Sequence, residues 1–191
     1  MASTRGKQTE MAVLGALSIE PMTGYALREA IRDVLGHFWS ESFGQIYPAL
    51  AELERHGYVT RSGSTRAGSS MFAITPSGTQ RLRDLLTQPV QATPPRNGLL
   101  LRLFFGRTLG VDACRALIAQ AKADAQRQLD ELDTIAAQVA GETQHPDDTP
   151  FLLLTISAGR HSARAALAWA DESLAALDTM RPNPADKDET R

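Results

Sequence analysis

Apolar positions in the first half of the chain repeat with helical spacing three times and then change period. Residues 1–9 are polar and predict a frayed start. The run "EMAVLGALS" from Glu10 to Ser18 predicts a short apolar helix, broken by "EPMTG", where Pro21 and Gly24 act as punctuation. Thr23 stands where its hydroxyl can cap a second helix. There Leu27, Ile31, Val34 and Leu35 fall at i, i+4, i+7 and i+8, one buried stripe, and Gly36 supplies a stop. The third stripe is Phe43, Ile46, Leu50 and Leu53, at i, i+3, i+7 and i+10, with Ser42 or Gly44 as cap. Pro48 lies inside that pattern, where it costs about 3 kcal/mol. A start near Gly44, with only the first backbone bond removed, makes it tolerable. Gly57 ends the helix in the left-handed position. The period then drops to two: "YVTRS" and "SMFAIT" read as strands on either side of a flexible "GSTRAGS" tip. "TPSG" opens another helix, with Thr75 as cap, Pro76 at the first helical position, and Leu82, Leu85 and Leu86 as its apolar side.

The order helix, helix, helix, hairpin, helix is that of a winged helix-turn-helix, placed at 10–88 after a disordered 1–9. The proline-rich "QPVQATPPR" marks a connector, drawn at 89–97. Every later segment reads helical. "NGLLLRLFFG" is a short, very apolar helix. From Val111 to Val139, Cys114, Ile118, Ala121, Ala125, Leu132, Ala136 and Val139 recur at mixed three- and four-residue steps. That is a coiled-coil-like seam of about 43 Å. "GETQHPDDTP" is a loop, and Phe151–Leu177 forms a second long, alanine-rich helix. The expected fold is mainly α with a small β-hairpin: a winged helix-turn-helix followed by a long-helix dimerisation domain at 98–180 and a disordered tail at 181–191.

Composition changes this picture little. The 191 residues are 42% hydrophobic and 22% charged with net charge −2, so the chain as a whole does not advertise a polyanionic partner. Residues 1–88 hold nine Lys+Arg against eight Asp+Glu, net +1, and residues 96–191 hold eleven against fourteen, net −3. Any affinity for nucleic acid must come from local placement. The single Cys114 excludes an intramolecular disulfide and suits a reducing compartment. No apolar run follows "MASTRGKQTE" and none approaches membrane length, so a cytoplasmic protein with no membrane span is expected.

Four motifs then occur in order: "GYAL" at 24–27, "FW" at 38–39, "GQIYPALAELERHGYV" at 44–59 and "FAITPSG" at 72–78. They resemble the PadR family, named for the phenolic acid decarboxylase repressor. "LLLRLFFG", two long helices and "ALAWADESLAAL" resemble the virulence-activator type of C-terminal domain. The resemblance implies a dimeric bacterial transcription regulator, in most members a repressor, that dimerises through its C-terminal helices. It also implies an effector or partner that shifts the spacing of two DNA-reading heads.

If the Phe43–Leu53 stripe faces the core, Ser42, Gln45, Ala49 and Glu52 face outward. Serine and glutamine can donate to phosphates or base edges, and glutamine pairs bidentately with adenine. Ser40 and Pro48 belong to the same candidate surface. Tyr25 and Tyr47 carry hydroxyls that reach phosphates, or else sit at the edge of the core. Arg61, Thr65 and Arg66 supply the hairpin's contacts, with Arg66 alternatively a solubility charge. The partner expected is a double-stranded operator.

The 111–139 seam reads as an intramolecular hairpin, an intermolecular zipper, or both. Leu100, Leu103, Phe104, Phe105, Leu117, Ile118, Leu132, Leu167 and Leu174 are the candidate homodimer residues. Phe151 and Trp169 are candidates for the pocket of a phenolic or other aromatic effector, against a packing role. His37, His56, His145 and His161 show no metal-ligand spacing, and no nucleophile elbow or phosphate loop is present, so no metal, cofactor or catalysis is expected. Two alternatives stay open: a winged-helix protein-interaction module, and an activator working with a partner protein.

Overall fold

The structure is a computed structural model that describes residues 4–36, 38–39, 43–63, 70–90, 96–141 and 145–180. It divides into two compact units, Met1–Gln91 and Ala92–Arg191.

The first unit opens with α1, Thr4–Ile19, which begins six residues before the expected Glu10. Tertiary contacts, not propensity, hold that polar turn. Thr9 is buried, Lys7 Nζ donates to Gln88 Oε1 at 3.2 Å, and Arg81 grips the Glu10 carboxylate with two bonds of 2.7 and 2.8 Å. β1, Met22–Thr23, precedes α2, Gly24–Ala30, which Thr23 caps by accepting the Ala26 amide at 3.1 Å. α2 runs on into a π-helical turn at Ile31–Leu35. Leu27 and Ile31 are buried and Leu35 packs against the core.

α3, Phe43–Arg55, starts one residue before the expected Gly44, so Pro48 is the sixth helical residue, one residue deeper than expected. It withholds the amide that would bond the Gly44 carbonyl. Gly57 takes φ +73°, the left-handed stop expected of it. β2, Val59–Ser62, and β3, Met71–Ile74, form the hairpin, with Arg61 opposite Phe72. β1 pairs with β3 on the far side, giving a three-stranded antiparallel sheet of order β1-β3-β2 where a two-stranded one was expected. Two residues are too few to display a period of two, so β1 had no sequence signal.

α4, Pro76–Leu86, is capped by Thr75, whose hydroxyl accepts the Gly78 amide and donates to the Gly57 carbonyl at 2.8 Å. Ser77 donates to the same carbonyl. Gly78 is needed there, because a Cβ would lie 2.0 Å from the Tyr58 carbonyl oxygen. The core joins Val13, Leu14, Leu17, Leu27, Ile46, Leu50, Leu53, Val59 and Leu85 from every helix and the hairpin.

The second unit consists of α5, Gly98–Phe104, capped by Asn97; α6, Gly106–Leu109; α7, Val111–Ala140; and α8, Thr149–Thr179. α8 extends two residues beyond the expected span at each end. α7 and α8 are antiparallel, because Arg115, Lys122 and Asp133 pair in turn with Asp178, Asp171 and Arg160. The buried seam is Ile118, Ala125 and Leu132 on one helix and Ile156, Ala163, Ala170 and Leu177 on the other, each at seven-residue steps. The alanines let the two backbones approach closely.

Candidate nucleic-acid interface

α3 presents three faces. Ile46, Leu50 and Leu53 are buried. Ala49, expected to face outward, packs against that core, and Ala51 is the small exposed residue instead. The signal was present: Tyr47, Ala51 and Glu54 are spaced for one side of a helix, whereas Ala49 lies beside Ile46 and Leu53.

On one side of α3, Tyr25, Tyr47, Ala51, Glu54, Arg61 and Phe72 line an open groove of about 290 Å³. Tyr25 and Tyr47 are 59% and 50% exposed. The Arg61 guanidinium lies 5.8 Å from the centre of the Phe72 ring, a cation–π contact across the hairpin. Gly24 makes room for Tyr47, since a Cβ there would come within 3.0 Å of the tyrosine Cε1. Three expected contact residues, Tyr25, Tyr47 and Arg61, are thereby brought together from α2, α3 and β2.

Gln45 and Pro48 are exposed on the other side of α3. They line a second cleft of about 410 Å³ with Glu10, Glu52, His56 and Arg81. Ser40, Ser42, Thr65 and Arg66 lie outside the described residues. Arg55 donates two hydrogen bonds to Glu52, and these hold the Glu52 carboxyl below the usual carboxylate range and raise the Arg55 guanidinium above its own.

Sequence reasoning missed a third cavity of the first unit, about 380 Å³, because three distant stretches build it. Lys7 and Met11 come from α1, Phe38 and Trp39 precede α3, and Leu86 and Val90 follow from α4.

In the second unit the expected dimer residues separate. Ile118 and Leu132 are buried inside the α7–α8 seam of one chain, and the half-buried Leu103 and Leu174 pack against the cluster that contains Ile118. Leu117 and Leu167 are half-buried. Leu100, Phe104 and Phe105 are exposed, beside an apolar groove of about 730 Å³ that α5 and α6 form with Ala113, Ala116 and Leu117 of α7. Trp169 packs against Cys114, Ile118 and Ala170, whereas Phe151 is exposed near the start of α8. Eighteen residues of helix separate the two aromatics, roughly 27 Å, so they line no common pocket within one chain. No helix among the described residues is long and apolar enough to cross a membrane.

A three-helix core with a small sheet, an exposed polar helix face and an arginine beside two tyrosyl hydroxyls defines a winged helix-turn-helix of the transcription-regulator class. Residues 13–84 match the model of the transcriptional regulator PadR-like family, and residues 95–178 match the virulence activator alpha C-terminal domain. The negative transcriptional regulator PadR of Bacillus subtilis is 27% identical over 177 residues, covering 87% of this chain and 96% of the relative. A crystal structure of B. subtilis PadR in complex with operator DNA superposes with a TM-score of 0.74 at 25% identity, covering 88% of this chain and 98% of that one. Another, in complex with p-coumaric acid, gives 0.73 at 24% with the same coverage. The Vibrio cholerae virulence activator AphA shares the fold, with a TM-score of 0.70 at 22% identity over 91% of this chain and 99% of that one. The chain carries a PadR-like transcriptional regulator domain followed by a C-terminal domain of the virulence-activator type.

Proposed function

We propose that the chain is a cytoplasmic, homodimeric, operator-specific repressor that is released by a small aromatic acid. The observation that carries this reading is the groove of Tyr25, Tyr47 and Arg61 beside the exposed side of α3. α3 enters the major groove, where Gln45 reads a base edge. The two tyrosyl hydroxyls and Arg61 hold the phosphates beside it. Each head reads one half-site, and the second unit supplies the dimer through Leu100, Phe104 and Phe105, which a single chain leaves exposed. The effector's ring lies among Met11, Phe38 and Trp39, and its carboxylate meets Lys7. Binding of p-coumaric acid by the Bacillus relative and the chemistry of this cavity both support that choice.

Fluorescence polarisation on duplex DNA from upstream of the gene, at two salt concentrations, tests the reading. Expected is selective, salt-sensitive binding, with selectivity relaxed by Gln45→Ala and affinity lowered for all sequences by Arg61→Ala. Added p-coumaric acid should weaken binding in the wild type and not in Trp39→Ala. A folded dimer that binds no upstream fragment, with or without aromatic acids, returns the choice to a protein-interaction module.

A further inference from the structure

The outward row of α3 is Gly44, Pro48, Ala51 and Arg55, at i, i+4, i+7 and i+11, and all four are exposed. Arg55 ends that row about 16 Å along the helix from Gly44, where a reading helix leaves the groove and meets the phosphate backbone. A free arginine there would add a contact that every DNA sequence offers equally.

Arg55 is not free. Its Nε donates to Glu52 Oε2 at 3.0 Å and its Nη2 to Glu52 Oε1 at 2.6 Å, a bidentate grip. Nη2 also lies 2.9 Å from His56 Nε2, and His56 Nδ1 lies 3.0 Å from the Glu52 carbonyl oxygen. That carbonyl can only accept, so the proton sits on Nδ1 and Nε2 keeps its lone pair for Arg55. Tyr58 stacks on the imidazole with ring centres 5.8 Å apart. Across the cleft, Glu10 and Arg81 are paired with each other at 2.7 Å. The guanidinium is therefore claimed by its own helix.

We propose that Glu52 is a specificity-determining residue that acts by caging Arg55, keeping this cation off the phosphates of non-cognate DNA. The inference rests on the DNA-binding reading above. The two charges cancel on the reading face, so discrimination is left to groups such as Gln45 that respond to sequence. The depressed Glu52 carboxyl agrees with a cage that is closed at neutral pH.

Four full-length proteins test this: wild type, Glu52→Gln, Arg55→Ala and the double variant. All four are titrated across a salt series onto a duplex of random sequence and onto upstream DNA. Both side chains are exposed, so the variants are expected to fold, which circular dichroism checks. Glu52→Gln should tighten binding to the random duplex about 3- to 10-fold at low salt and steepen the log–log salt slope by about 0.9. Arg55→Ala alone should change it by less than about 2-fold, and the double variant should return to that level. A gain that survives in the double variant assigns the effect to the Glu52 charge itself and overturns the cage. So does an Arg55→Ala loss that is as large in the wild type as in Glu52→Gln, or DNA binding that no variant alters. If none of the four proteins binds either duplex, the DNA reading fails and the cage fails with it.

Discussion

The two units use their apolar residues in opposite ways. In the first, Leu14, Leu17, Leu27, Ile46, Val59 and Leu85 are buried almost completely, in a core closed by helices and a sheet. In the second, the deepest seam is rich in small residues, Ala125, Ala163 and Ala170, while Leu101, Phe104, Phe105, Phe151 and Leu154 stand in solvent. Geometry explains the difference. Three helices and a sheet enclose a volume, whereas a two-helix hairpin has one seam, and a residue off that seam has nowhere in its own chain to go. The first unit closes a core of its own, while the second leaves Phe104, Phe105 and Phe151 uncovered by its hairpin.

That contrast can be broken. The largest expected effect is that of Leu14→Ala, which deletes a fully buried side chain. About 3 kcal/mol should be lost, seen as a fall of roughly 10–20 °C in the melting of the first unit. A shift of only a few degrees would mean that the core is not the closed one described. Next is the paired change Phe104→Glu and Phe105→Glu. It should weaken self-association at least about tenfold in sedimentation while leaving the first unit's melting unmoved. An unchanged dimer would place the interface elsewhere.

Ala170→Leu sharpens the comparison from the other side. Ala170 is 0% exposed, so the larger residue should force α7 and α8 apart and cost about 1–3 kcal/mol in the second unit alone. Thr75→Ala should cost about 1 kcal/mol through the lost cap of α4, read by chemical denaturation.

The smallest effect is one of pH. Because the folded Glu52 carboxyl is depressed, its bond to Arg55 is complete above the ordinary carboxylate range and opens as pH falls through the depressed value. The Arg55 side-chain Nε–H resonance should report this opening on acidification below about pH 4, with no change between pH 6 and 8 that follows the carboxylate.

Much of this was legible in the residues. Leu27, Ile31, Ile46, Leu50 and Leu53 were assigned inward by spacing, and Thr23, Gly57 and Thr75 by the backbone groups they satisfy. The hairpin strands and both long helices followed from period alone. The third strand was not legible, because Met22–Thr23 gains its strand character from Phe72 and Met71, some fifty residues away. The start of α1 was hidden for the same reason, since Lys7 and Glu10 are held by Gln88 and Arg81 of a distant segment.

At the candidate site, Gln45 was singled out by its outward position on a periodic helix, and Tyr47 by its hydroxyl, with the core edge as the alternative. Spacing on one helix could not show that Arg61 and Tyr25 would join Tyr47 in a groove, nor that Ile118 and Leu132 would be consumed by α8. What the sequence determined by itself is the set of elements, their caps and their inward faces, because those depend on neighbours within a few residues along the chain. What only the tertiary structure decided is which outward residues meet and which apolar residues are left over. Those outcomes depend on the packing partner each face finds, and local spacing does not carry that information.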